Sequence, residues 1–378
     1  MRLLVIPTTD WTGHPVPNRL NFIFDRLAER HEVDVCHFKI FESKKRDTRC
    51  GLIEMDAERG WDISDYYMKN FRSHAAEIKR LAPDYDAVIS ANILPSAAAS
   101  LQDTPVIMDY LDHLPQSAAA YYEGPLKVLA EKVVKGLTFF NIKMANGLIT
   151  PTARFKEYLR RVTEKKIEVI PNGLDLKKIG TSDRDEVKKK VLEPYSLGSP
   201  ILGYVGSLEK WVDLESVISL MPAVKKRYSD ASMLIVGPRL HTDYAERLKK
   251  MSEELKVADD VVFTGRVDYE ELSPYITAMD VGLNPRKPLL MNRYTMGSKV
   301  LTYLACGVPV LSKNMPEVEE RFGGKGVCRY GSDREFLGKL TGCLTEDVDP
   351  GVVKEYDWDI LSKRYEKAIS KIAGKNKN

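Results

Sequence analysis

The chain lacks most of the features that identify a protein quickly. Its five cysteines, Cys36, Cys50, Cys306, Cys328 and Cys343, are odd in number and include no C-x-x-C pair. A disulfide framework is not expected, and neither is a zinc site, which needs paired ligands. No run of about twenty apolar residues occurs, so nothing reads as a membrane span. The N-terminal MRLLVIPTTDW carries an apolar run that Pro7 ends too early for a signal peptide. The net charge is only +3, and KKR at Lys44–Arg46 and KKK at Lys188–Lys190 are short and mixed with acids. Charge therefore points to no nucleic-acid partner. No G-x-G-x-x-G follows the first apolar strand and no Walker loop is present, which argues against a nicotinamide enzyme and a P-loop enzyme. The D-x-D pairs at Asp84/Asp86, Asp183/Asp185, Asp347/Asp349 and Asp357/Asp359 follow no apolar strand, and 54 acidic residues make such pairs by chance. Neither a metal nor a cofactor is expected, and the chain reads as soluble and cytoplasmic.

What is present is alternation. At 378 residues the chain suits two α/β domains better than one core. LLVIP, EVDVCHF, DAVISAN, PVIMDYLD, GLITPT and IEVIPNG read as strands separated by helical segments, with Glu42 to Gly60 polar and irregular. The pattern breaks at Asn172–Gly173, and a lysine-rich linker runs from Leu176 to Ser199. The alternation then restarts with PILGYVGSL, SMLIVGP, VVFTGRV, VGLNP, VPVLS and GVCRY. Strands alternating with helices predict parallel sheets covered on both faces. We expect an N-terminal domain over 1–175, a C-terminal domain over 176–355, and a last helix in 356–378.

In such sheets ligands bind beyond the carboxyl ends of the strands. GSKVLTYLACGVPVLS, Gly297 to Ser312, begins a helix there, with Ser298 able to cap it. Lys299 on the first turn opposes the helix dipole unless an anion lies in front of it. Thr302 falls on the same face. Lys210, near Ser207 and Trp211, follows one strand, Arg239 a second and Arg266 a third, three cations suited to a phosphate pair with the Ser207 hydroxyl beside them. In the N-terminal half, Asp109, Asp112 and His113 close the strand PVIM, facing the expected cleft, where a carboxylate or imidazole can act as base or stabilise a developing cation. Asp109 could equally bond to neighbouring backbone, and Asp112 could cap a turn. The first loop offers Asp10, Trp11, Gly13 and His14, an aromatic ring and a flexible glycine suited to a sugar acceptor, although Trp11 could equally pack inward.

Lys127, Lys132, Lys135 and Lys143 lie on a helical segment with Leu126, Val128, Leu129, Val133, Val134, Leu137, Phe139 and Phe140. That mixture fits either a helix lying on an anionic membrane surface or an ordinary amphipathic helix packed on the first sheet.

IPNGLD, YVGSL, LIVGP, FTGRVDYEEL, AMDVGLNP and LTYLACGVPVLS stand in an order and spacing that resemble GT-B fold glycosyltransferases of family four. The resemblance covers nearly the whole chain and is densest from Val169 to Ser312. It implies two Rossmann-like doubly wound domains facing across a cleft, a nucleotide-sugar donor in the second, an acceptor mostly in the first, retention of configuration, and a C-terminal helix that crosses back to the first. It further implies Gly206, Ser207 and Lys210 near the diphosphate, Arg266 and Val267 near the base, and Lys299 with Thr302 near phosphate and ribose. Asn292 and Arg293, in a loop from Asn284, would face the sugar. The family's E-x(7)-E glutamates fall here on Tyr294 and Thr302. K-x-x-T-Y-L-A-x-G from Lys299 and D-x-x-D at Asp109/Asp112 are instead similar to a teichuronic-acid and exopolysaccharide subgroup. The expectation is a metal-independent transferase moving a sugar from a UDP- or GDP-sugar to a saccharide or lipid-linked acceptor, cytoplasmic or at the inner face of the membrane. A nucleotide-sugar epimerase of the same fold and a non-catalytic, degenerate sugar- or nucleotide-binding protein remain as rivals.

Overall fold

The computed structural model describes residues 1–14, 16–42, 45–61, 63–112, 115–116, 124–180, 183, 186–187, 191, 193–209, 211–237 and 243–374. The chain forms two compact units, Met1–Asn172 with Trp358–Asn378, and Gly173–Asp357.

Among the described residues the first unit holds a seven-stranded sheet of β1 (Arg2–Ile6), β2 (Glu32–His37), β3 (Gly51–Glu54), β4 (Ala87–Ala91), β5 (Val106–Asp109), β6 (Gly147–Thr150) and β7 (Lys166–Val169). Their order is β3-β2-β1-β4-β5-β6-β7, with every pairing parallel. Because successive side chains point to opposite faces, Leu3 and Val5 enter one core while Leu4 and Ile6 enter the other. The strand β3 lies within the stretch the sequence leaves irregular. It is a mostly exposed edge strand, without the apolar run that marks a buried one.

Helix α1 (Arg19–Leu27) starts at Asn18, whose side chain accepts from the Leu20 and Asn21 amides at 2.9 and 3.3 Å, while the Asn21 side chain accepts from the Asn18 amide at 2.9 Å. This reciprocal cap satisfies donors that a helix start leaves open. Helices α2 (Ile63–Leu81), α3 (Ile93–Ala99), α4 (Gly124–Met144) and α5 (Ala153–Arg160) follow. The terminal helix, Trp358–Ile372, packs on α1: Trp358 stacks on Phe22 at 5.5 Å and Tyr365 meets the ring of Phe24 edge-on at 5.6 Å. Beneath them Arg19 Nε lies 3.1 Å from Asp109 Oδ2, with both side chains almost wholly buried. Tyr365 Oη donates to the same carboxylate at 3.0 Å, and Arg19 Nη1 donates to Ile170 O at 2.9 Å and to Asn172 Oδ1 at 3.1 Å. One buried pair thus joins α1, β5, the terminal helix and the end of β7.

Among the described residues the second unit holds a six-stranded parallel sheet of β8 (Ile201–Val205), β9 (Ser232–Val236), β10 (Val261–Gly265), β11 (Val281–Asn284), β12 (Val310–Lys313) and β13 (Val327–Tyr330), in the order β10-β9-β8-β11-β12-β13. Its helices include α6 (Leu214–Arg227), α7 (Tyr244–Glu254), α8 (Leu272–Thr277), α9 (Leu290–Tyr294), α10 (Ser298–Ala305), α11 (Pro316–Phe322) and α12 (Asp333–Cys343). Ile201 and Val205 of β8 pack with Val300, Leu301 and Leu304 of α10, whereas Leu202 and Tyr204 face the core built with α6. Both orders reverse direction once, between β1 and β4 and between β8 and β11, as in doubly wound nucleotide-binding sheets.

Breaking a buried ion pair on one side leaves an uncompensated charge, at a cost of about 3–5 kcal/mol. Asp109→Asn is expected to destabilise the first unit by that amount, and Tyr365→Phe by about 1 kcal/mol. Urea titration of the two variants checks this. An Asp109→Asn protein as stable as its parent would show that the pair does not hold these segments together.

Candidate functional site

At a switch point the strand ends diverge and leave a crevice. Where β8 and β11 part, α10 supplies the filling. The Tyr303 hydroxyl accepts from the Val205 amide at 2.8 Å and lies 3.4 and 3.3 Å from the carbonyls of Gly203 and Leu283. Backbone groups without ladder partners are thereby satisfied by one side chain. The loop that leaves β8 begins at Gly206, with φ +136°, a conformation glycine takes without strain. A side chain on Gly237, after β9, would strike the Gly206 carbonyl, so the two turns approach backbone to backbone.

Into this crevice comes Lys299, the second residue of α10. Its Nζ donates to Tyr204 Oη at 2.9 Å and stands 4.1 Å from the ring centre, and Tyr204 Oη donates on to Ser207 O at 2.9 Å. Lysine, tyrosine and loop backbone are therefore one connected unit. Arg286, two residues beyond β11, is the second cation: a β-carbon on Gly297 would lie 3.3 Å from its Nη2, and its Nε is buried without a hydrogen-bond partner. Burial, and then the charge of Arg286, push the Lys299 amine well below its ordinary value. The helix cap is Gly297, which offers no side chain to the first amides. Two cations and a helix start with no side-chain cap can together hold a diphosphate. In the same loop Glu209 is buried, and burial lifts its carboxyl to about 7.

The other residues singled out from sequence for this half fall in several places. Ser298 does not cap the helix. It is the first helical residue, exposed, behind the Gly297 cap. Thr302 Oγ1 donates to the Ser298 carbonyl at 3.0 Å, one turn back. Asn292 is buried and donates to the carbonyls of Lys287 at 2.8 Å and Trp211 at 3.3 Å, so it holds its loop instead of presenting itself to solvent. Arg293 is exposed. Arg266 is exposed and pairs with Asp268 at 2.9 Å, and Val267 packs on the core beside it. Lys210 and Arg239 lie outside the described residues. Arg286 and Glu209 were not singled out from sequence. Each stands within a few residues of a strand's carboxyl end, and that position was the available signal.

In the first unit the loop after β1 is organised by Asp10. Its carboxylate accepts from the amides of Gly13 at 2.7 Å, Ile40 at 2.9 Å and Phe41 at 3.2 Å, and lies 3.5 Å from His37 Nε2. Burial alone would raise this carboxyl, but His37 and the three amides outweigh it and hold Asp10 well below the usual carboxylate range. Asp10 is therefore enclosed and ties two loops together, in place of the exposed acceptor contact expected of it. Trp11 is likewise buried, its Nε1 donating to Thr48 Oγ1 at 3.1 Å. Gly13 is glycine because a β-carbon there would press on the Asp10 carboxylate at 2.6 Å. His14 is partly exposed, accepts from the Val16 amide at 3.1 Å and meets the Phe41 ring edge-on. Asp109 is enclosed by Arg19 and Tyr365. Burial raises its carboxyl, while Arg19 and Tyr365 pull the other way, and solvent does not reach it. Asp112 is partly exposed just beyond β5, and His113 lies outside the described residues.

His37 Nδ1 is bonded to Glu54 Oε1 at 2.9 Å and Nε2 to Thr12 Oγ1 at 3.1 Å. Burial would lower the imidazole, but Asp10 and Glu54 raise it above 6.5. A raised folded value gives stability that is complete below 6.5 and is lost as pH climbs through the folded value. Removing the pair with His37→Gln should cost about 1–3 kcal/mol in mild acid and less above neutrality. Urea titrations across pH test it: a penalty that does not change with pH would contradict the ion pair.

Comparison with known proteins follows the two units. Residues 199–346 match the model of the glycosyl transferases group 1, and residues 23–178 match that of glycosyltransferase family 4. The GDP-mannose-dependent alpha-(1-6)-phosphatidylinositol monomannoside mannosyltransferase of Mycolicibacterium smegmatis is 25% identical over 56% of this chain and 51% of its own length. The alpha-monoglucosyldiacylglycerol synthase of Streptococcus pneumoniae is 23% identical over 70% of this chain and 59% of its own. The chain thus spans between half and two thirds of the length of these curated relatives. Among solved structures, HepE of Anabaena in complex with UDP-glucose superposes with a TM-score of 0.73 over 98% of this chain and all of that one, at 14% identity, a likeness of fold. With both models matched in order along two doubly wound units, the chain belongs to the group 1 and family 4 type of glycosyltransferases and has the GT-B fold.

Proposed function

We propose that this protein transfers a hexose-type sugar from a UDP- or GDP-sugar to a saccharide or lipid-linked saccharide acceptor. The observation that carries the reading is the cluster of Lys299, Tyr204 and Arg286 at the start of α10, where β8 and β11 part. When the bond from sugar to diphosphate breaks, negative charge grows on the departing phosphate oxygen. Lys299 and the α10 amides meet that charge from positions fixed in advance by Tyr204 and Tyr303, with Arg286 beside them, so little reorganisation is needed as it develops. The names of the relatives support the donor class, since one is GDP-mannose-dependent and one structural neighbour holds UDP-glucose. On this reading residues 176–355 bind the donor, with Arg266 and Val267 toward the base, Gly206, Ser207 and Lys210 beside the diphosphate, and Arg293 toward the sugar. Residues 1–175 take the acceptor, with Asp112, His113 and His14 toward its hydroxyl. The finer kinship with teichuronic-acid and exopolysaccharide enzymes rests on the K-x-x-T-Y-L-A-x-G run from Lys299.

Lys299→Met and Arg286→Met should each lower turnover by about 10²–10³-fold, the range seen on removing one donor to a developing oxyanion. Calorimetric titration with UDP, GDP, ADP and CMP should find one nucleotide that binds the parent and binds both variants more weakly. Binding of none by the parent would move the non-catalytic reading to the front, and product analysis by NMR separates transfer from epimerisation.

Because Lys299 is depressed in the free protein, a bound diphosphate is expected to raise its amine and favour proton uptake. Affinity for the nucleotide should fall as pH rises through the range where the free lysine loses its proton. The binding enthalpy should vary with the ionisation enthalpy of the buffer, and Lys299→Met should remove that dependence. A parent protein whose binding enthalpy is the same in every buffer would exclude proton uptake at this lysine.

A further inference from the structure

Helix α4 is amphipathic in the wrong sense for a soluble surface. Its inward side is formed by Val134, Leu137, Thr138, Asn141 and Ile142, and Asn141 Nδ2 donates to Ile93 O at 2.9 Å. Along the flank of that side, with Leu137 at the margin, Leu126, Leu129, Val133, Phe140 and Met144 recur at intervals of three, four, seven and four residues, which is one stripe of a helix. All five point outward, with exposures between 38% and 63%. Val128 and Phe139 are exposed beside them. An ordinary surface helix buries such a stripe and shows its polar side. This one buries Thr138 and Asn141 beside Ile142, and leaves a second, longer apolar line of leucine and phenylalanine exposed.

Charge indicates what covers the stripe. The helix carries Lys127, Lys132, Lys135 and Lys143 against a single acid, Glu131. Lys132 and Lys143 are exposed and stand beside the apolar line on the helix, positions from which lysine stems can lie along it while the amines reach past it. A second copy of the chain would set lysine against lysine across a two-fold axis, which is unfavourable. Among the described residues no helix is long and apolar enough to cross a membrane, so insertion along the surface is the mode this helix offers. We propose that the outward face of α4 docks the protein on an anionic lipid bilayer, with the apolar stripe at the acyl boundary and the lysines among the headgroups. The proposal stands on the exposure and charge of this face, not on the reading of the donor site.

The test is co-sedimentation of the full chain with vesicles of phosphatidylcholine and phosphatidylglycerol in equal parts, and with phosphatidylcholine alone. The protein should pellet with the mixed vesicles and far less with the neutral ones, and added salt should weaken the binding. Lys132→Ala and Lys143→Ala should each lower the partition coefficient by about five-fold. Leu129→Asp with Phe140→Asp should abolish binding. These side chains are exposed, so the variants should keep the parent's circular dichroism and melting temperature. Lys249→Ala with Lys250→Ala, on α7, should leave binding unchanged. Three results would overturn the proposal: no binding to the mixed vesicles, equal binding to both kinds that the lysine variants do not alter, or a dimer in sedimentation equilibrium that Leu129→Asp dissolves.

Discussion

A parallel sheet that reverses its winding leaves backbone groups without partners where its two halves part. In the second unit this need falls on the ends of β8 and β11, and it is met by the hydroxyl of Tyr303, set between Val205, Gly203 and Leu283. Much of the site is fixed by that placement. Tyr303 lies on α10, so securing its hydroxyl in the sheet also sets the height and rotation of the helix. Lys299, one turn earlier, then reaches Tyr204 and can direct an amine into the opening. Gly282 has no side chain because the Tyr303 ring occupies that space. A structural requirement of the fold and the positioning of a cation are thus met by one short helix.

The same economy limits what the sequence could reveal. Strands of a sheet buried on both faces read as apolar runs, and the alternation around them identifies two doubly wound units without any contact being known. The edge strand β3 escapes because it buries little and so carries no such run. Lys299 was legible for a related reason: a lysine at the positive end of a helix conflicts with the dipole and asks for an explanation. Arg286 conflicts with nothing along the chain. Its unpartnered Nε becomes informative only once Gly297 and α10 are folded beside it.

The acids and the tryptophan near the N-terminal strand ends failed as a guide for the opposite reason. A carboxylate at the carboxyl end of a strand looks alike in sequence whether it faces a ligand or the interior. Asp109 is partnered by Arg19 and by Tyr365, the latter 256 residues further along the chain, and no local pattern records either partner. Asp10 is taken up by three amides and a histidine. Desolvation favours this outcome: a buried carboxylate persists only if it is matched, so polar residues that find strong partners are drawn into structural work. Asp112 and His14, by contrast, stay partly exposed.

That criterion also separates the two units by the job their charges do. In the first unit the buried charges are neutralised within the fold, and Arg19 with Asp109 binds segments that are distant in sequence. In the second, Lys299 and Arg286 stand close together, and burial, with the Arg286 charge behind it, depresses the lysine amine. A folded chain rarely retains two such cations or an outward stripe of leucine and phenylalanine unless something outside the chain completes them. The diphosphate would complete the first and a bilayer the second. Each is a local violation of the packing rules that the rest of the molecule obeys, and the two violations lie in different units, so one can be disturbed without the other.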